Sequence, residues 1–118
     1  MKKGFNELGI GDYLYIISLT HCYKYRVFKI ERKKNSVTIH SCEPESYQSM
    51  INDYSYISDF KFGLFYDERF ETNIVRGEYT ICTNIEDFKK RGLEYAEVKK
   101  QTAIMFEEEL ADFVLKNS

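Results

Sequence analysis

YKYRVFKIERKKNSVTIHSC, residues 23–42, sets two β-branched and aromatic runs on either side of a polar turn. In the first run, 23–32, Tyr23, Tyr25 and Val27 share one face of a strand and Lys24 and Arg26 the other. The phase flips at Val27–Phe28, where Phe28 and Ile30 become the apolar pair, which predicts a β-bulge or a corner bending over the core. KKNS is the turn and VTIHSC, 37–42, the next strand. If Arg32 faces Val37, then Ile30 faces Ile39 and Phe28 faces Ser41. That register gathers Phe28, Ile30, Val37 and Ile39 on one face, sets Lys29 opposite His40 and sets Val27 opposite Cys42.

Upstream, Gly9 and Gly11 flank the entry to DYLYIISL, a strand over 12–19, and THC is a short turn. Such a meander is similar to those that open SH3-like and OB-like barrels, although no family motif is matched. Downstream, Tyr47, Met50, Ile51 and Tyr54 recur at helical spacing, and Pro44 suits a first helical position, so a short helix is expected over 44–54. SDFKFGLFY reads as a strand with Phe60, Phe62, Leu64 and Tyr66 inward and Phe65 outward. DE turns it into RFETNIV, and Arg76–Gly77 turns that into EYTICT. Asn84 and Asp87 form a capping pair, with Glu86–Lys90 and Asp87–Arg91 as i, i+4 ion pairs. Ala96, Ala103, Phe106, Leu110, Phe113 and Val114 then make an apolar stripe, which predicts one helix from 85 to about 115, open to a kink at Gly92. The expectation is a single α+β domain over 1–118: a curved antiparallel sheet or small partly open β-barrel, with the short helix and a long C-terminal helix packed on it.

At 118 residues with 43% hydrophobic residues, one proline and six glycines, the chain is of a size that folds without disulfides or metal. No run reaches the length of a membrane span, and GDY interrupts the basic start MKKGFNELGIGDYLYII before a signal-peptide core can form. Three cysteines, an odd number, read as reduced thiols in the cytoplasm. Lys outnumbers Arg 12 to 5, with 11 Ile, 10 Tyr, 9 Phe and only 3 Ala, a usage that fits an AT-rich genome such as that of a low-GC bacterium or its phages. Net charge is −2, divided as +5 over residues 1–42 and −7 over 43–118. This asymmetry marks either a binding footprint or two faces of one domain that attract each other.

His21, His40, Cys22 and Cys42 in one stretch raise the question of a metal or redox site. The register answers it. Cys22 lies five residues beyond Val27, about 16 Å along the strand from Cys42, too far for a disulfide or a shared zinc ion. His40 reads as an exposed strand residue beside Lys29, and Cys42 as a small hydrophobe. Cys82, in another strand, has no required partner. No metal or cofactor is expected. Phosphate-loop, dinucleotide, nucleophile-elbow and zinc-protease motifs are missing, and GIGDY precedes a strand where phosphate loops follow one. Asp67–Glu68 and Glu107–Glu109 read as solvated surface, and the expectation is that the protein is not an enzyme.

Two features suit binding. Lys24, Arg26, Lys29, Arg32, Lys33 and Lys34, interleaved with Tyr23, Tyr25 and Phe28, could follow a phosphate backbone and stack bases, or protect a hairpin edge. Aromatic residues crowd 47–70, where Tyr54, Tyr56 and Phe65 are candidates for a partner surface or for cross-strand pairs. The leading expectation is a small protein-binding module, an accessory, inhibitory or immunity protein of a phage or mobile element, or a homodimer sealed by the C-terminal helix. The alternatives are a single-stranded nucleic-acid binder using 23–34, and a pocket for a nucleotide-like ligand lined by Tyr and Arg.

Overall fold

A computed structural model describes residues 2–18, 20–53, 59–98 and 103–118. Six strands form one antiparallel sheet: β1 (Tyr13–Ile17), β2 (Cys22–Arg32), β3 (Ser36–Cys42), β4 (Phe60–Phe65), β5 (Asn73–Arg76) and β6 (Tyr79–Cys82). Their order is β4-β3-β2-β1-β6-β5, and the sheet curls into a nearly closed barrel with β4 and β5 as its edges. Leu14, Ile16, Ile39 and Ile81 point inward and are fully buried, and Phe5 fills the interior against Phe62. Because helices cover part of the outer surface, β1 is apolar on both faces: Ile17, adjacent to Ile16, packs outward on Phe88 and Leu110. That double burial is why YLYII shows no polar alternation.

The bulge lies where the phase flip puts it. Arg32↔Val37, Ile30↔Ile39 and Lys29↔His40 pair as the turn dictates, and the register then shifts between Val27 and Lys29. Beyond the shift, Val27 faces Ser41 and Arg26 faces Cys42, one position away from the uninterrupted register. The extra residue reverses the side of Phe28. Instead of joining Ile30 and Ile39, Phe28 turns outward and packs with Cys42, Tyr47 and Met50. One inserted residue thus lets consecutive apolar side chains, Val27 and Phe28, serve two cores.

The second of these cores is covered by a 3-10 turn (Pro44–Ser46) and α1 (Tyr47–Asn52). Tyr47 and Met50 are buried as their spacing requires, Ile51 is 43% exposed, and Tyr54 lies outside the described residues. After β4 the chain leaves the sheet sooner than expected. Tyr66 enters a 3-10 turn (Asp67–Phe70) and is exposed rather than inward, and β5 begins only at Asn73. Gly77, at φ +60°, makes the turn into β6.

The helical span expected over 85–115 is present as two helices, α2 (Ile85–Val98) and α3 (Ala103–Asn117), with 99–102 outside the described residues. They lie antiparallel: Phe88 meets Phe113 at 4.7 Å between ring centroids. Gly92 is a notch for α3, since a Cβ there would lie 2.6 Å from Leu110 Cδ1. Asn84 caps α2 by accepting the Asp87 N–H at 2.8 Å. The Asp87–Arg91 pair does not form. Asp87 instead receives Lys2 at 2.7 Å, and Arg91 reaches Glu94 at 2.9 Å, because Asp87 faces the N-terminal segment across the helix start.

Candidate functional site

The alternation in β2 separates the residues that the linear string interleaves. Tyr23 and Tyr25 point inward and close one barrel mouth with Phe60 and Tyr79. Ring centroids are 5.8 Å apart for Tyr23–Tyr25, 5.3 Å for Tyr25–Phe60 and 6.1 Å for Phe60–Tyr79, so the rings pack directly on one another. Burial, with Glu43 nearby, raises the Tyr25 hydroxyl above its ordinary pKa.

Lys24, Arg26 and Lys29 lie on the outer face. Lys24 Nζ sits 4.4 Å from the Tyr13 ring centre. The Arg26 guanidinium is 4.0 Å from the Tyr47 ring and 5.2 Å from Tyr13, and its Nε donates to the Gly11 carbonyl at 2.9 Å. Their aromatic partners are therefore Tyr13 and Tyr47, not Tyr23 and Tyr25. Lys29 is held by Glu31 at 3.1 Å, and Arg32 is exposed at the strand end. His40 is buried rather than exposed. Asp59 is 2.8 Å from its Nδ1 and Glu31 3.3 Å from its Nε2. Strand alternation puts His40 on the outer face, but Asp59 comes from the far side of the β3–β4 connection, which no local pattern reveals.

The cysteines are separated as the register demands. Cys42 packs under α1, whereas Cys22 and Cys82 pack with Ile17 and Phe88 under α2 and α3. All three are free thiols, and burial pushes Cys22 and Cys82 up to about 12.

Among the described residues, the most exposed aromatic side chains lie at the seam between edge strands β4 and β5. Phe65 is 72% exposed, Phe70 60%, Tyr66 59% and Val75 51%. Arg69 stacks on Tyr66 at 4.0 Å and on Phe70 at 5.2 Å, and Tyr66 meets Phe70 edge-on at 6.4 Å. Arg76 lies 6.0 Å from the Phe65 ring and bridges the seam, donating to the Gly63 carbonyl at 2.8 Å and to Glu68 at 3.0 Å. Glu68 also accepts the Phe65 N–H at 2.9 Å. The Arg76 guanidinium holds the Glu68 carboxyl below its usual range, against the opposing effect of burial. Glu68 is thus a fixed bracket, not the solvated turn residue expected. Phe65 points outward as its strand phase requires, whereas Tyr54 and Tyr56 lie outside the described residues. Tyr66, Arg69 and Phe70 escape a reading by alternation because the 3-10 turn breaks the period. The aromatic density of the segment was the available signal.

Elsewhere, Leu93 and Leu115, 56% and 78% exposed, flank a shallow apolar groove between α2 and α3 with Leu110 and Val114 at its base. No helix among the described residues is long and apolar enough to cross a membrane. Comparison with protein-family models, with curated proteins and with solved structures gave no match.

Proposed function

We propose that this protein is a non-catalytic binding module that docks a protein partner on the β4–β5 seam. One observation carries the reading: Phe65, Tyr66 and Phe70 stand exposed within six residues at the seam, Tyr66 and Phe70 stacked by Arg69 and Phe65 beside Arg76, which Glu68 holds. Stacked aromatics with arginine are the residue types that dominate interface energetics. A rigid ring gives contact area at small entropic cost, and here the rings are already braced. Arg76 is neutralised by Glu68, while Arg69 carries a charge with no carboxylate partner among the described residues. The partner surface therefore offers apolar side chains to the rings and a carboxylate to Arg69. The residue usage and the odd cysteine count support a cytoplasmic accessory or inhibitory protein of a phage or low-GC bacterium.

The test is recovery of a stoichiometric partner from the native host, repeated with Phe65→Ser/Phe70→Ser and with Leu93→Ser/Leu115→Ser. The first variant is expected to lose the partner and the second to keep it, with saturable binding once that partner is purified. Equal recovery by all three would refute the seam. The exposed Leu93–Leu115 groove favours a second reading, self-association through the C-terminal helices, which predicts a dimer in sedimentation that Leu115→Lys dissociates.

A further inference from the structure

We infer that the outer face of β1–β2 binds the phosphates of a single-stranded nucleic acid through Arg26 and Lys24. This surface is distinct from the seam. The β1–β2 pair stands at the middle of the strand order, across the barrel from β4 and β5.

Tyr13 pairs with Arg26 and Tyr15 with Lys24, so this face alternates aromatic and basic side chains. Lys24 and Arg26 are both half-buried, and neither has a carboxylate within ion-pair distance among the described residues, whereas Lys2, Lys3 and Lys29 each hold one. The Arg26 guanidinium is preorganised: two rings and the Gly11 carbonyl fix its plane, engaging Nε and leaving both Nη groups without a hydrogen bond among the described residues. Gly11, at φ +96°, keeps the adjoining space open. A Cβ there would lie 3.5 Å from Arg26 Nη2 and 3.3 Å from the Tyr47 hydroxyl, so two donors border one small notch. Asp12, the residue after Gly11, is paired with Lys3 at 3.1 Å.

The ligand follows from the geometry. A guanidinium with two free Nη groups matches two oxygens of a phosphate. Lys24 lies two residues along the same strand, about 7 Å away between backbone positions. That spacing along an open strand suits successive phosphates of one extended strand, and competition by inorganic phosphate separates this from a single small anion. Tyr13, 36% exposed, lies beside both cations for contact with a base.

The test is fluorescence anisotropy with a labelled oligothymidylate across a salt series, with inorganic phosphate and double-stranded DNA as competitors. Binding is expected at low salt, displaced poorly by inorganic phosphate and by duplex. Lys24→Gln is expected to weaken it and to reduce the slope of log K against log salt by about 0.7, the value for one phosphate contact on a single strand. Arg26→Lys retains charge but loses the two-pronged geometry and is expected to weaken binding without that change in slope. Lys89→Gln/Lys90→Gln on α2 and Phe65→Ser at the seam serve as controls and leave binding unchanged. No binding at low salt, or equal loss in the α2 control, would overturn the assignment. Displacement by inorganic phosphate at equal phosphate concentration would overturn the linear ligand.

Discussion

Gly92→Ala separates a helical hairpin from a single long helix by the sign of its effect. In an exposed, continuous helix, replacing Gly by Ala stabilises by about 1 kcal/mol through backbone entropy. Here the new Cβ would lie 2.6 and 2.7 Å from the two methyls of Leu110 and 3.2 Å from Ile17 Cδ1. In a straight helix residues 92 and 110 would be about 27 Å apart. Leu110 is 4% exposed and Ile17 fully buried, packed with Phe88, so both branches of the leucine must move within a filled cluster. Overpacking of this kind costs about 2 kcal/mol, leaving a net destabilisation of about 1 kcal/mol after the propensity gain. Urea denaturation of Gly92→Ala, Leu110→Ala and the double variant gives the full cycle. Leu110→Ala alone is expected to cost about 3 kcal/mol. On that background, with the opposing methyls gone, Gly92→Ala is expected to stabilise by about 1 kcal/mol. Stabilisation by Gly92→Ala in the wild-type background, or additivity in the cycle, would refute the packing of α3 on α2.

Two further outcomes follow from titratable groups. Burial alone would raise the Asp87 carboxyl, but donation from Lys2, Thr72, Asn84 and Asn73 outweighs it and holds the group well below its ordinary 3.8. A depressed folded-state value contributes stability above the unfolded value and loses it as pH falls toward the folded one. Wild-type urea midpoints are therefore expected to decline steeply below about pH 4, while Asp87→Asn starts lower at neutral pH and declines less over that range; parallel curves would contradict this. Cys22 and Cys82, at about 12, are expected to resist a thiolate-specific reagent at pH 8 in the native state, with all three thiols, Cys42 included, labelled after denaturation. Rapid native labelling of Cys82 would place it outside the cluster under α2.

The elements written in short-range periodicity were legible. The 23–42 hairpin announced its turn, its pairing up to Lys29 and, through the phase flip, its bulge. The bulge's consequence was not legible. Sending Phe28 outward depends on α1 waiting to receive it, a contact between residues far apart in the chain. The apolar stripe beyond Asn84 identified helix correctly but not its reversal, because a stripe that faces a sheet and one that faces another helix look alike in sequence. Gly92 was visible as a break in helix propensity, and its role as a notch needed Leu110 opposite it. At the candidate sites, alternation correctly split Tyr23 and Tyr25 from Lys24 and Arg26, yet the true ring partners of those cations, Tyr13 and Tyr47, come from other elements. Phe65 was placed correctly, while its companions sit on a 3-10 turn, where neither helical nor strand period applies.

The most direct test of the seam as the docking surface is site-specific photocrosslinking in the native host. A photoreactive amino acid at position 65 or 70 reports contact on the seam, and one at 93 or 115 reports contact on the helical groove. Both pairs replace exposed side chains, so folding is expected to be unaffected. The proposal predicts one discrete heterologous adduct from positions 65 and 70 and none from 93 and 115. Adducts from 93 and 115 alone, or none from any position while the partner still copurifies, would contradict it.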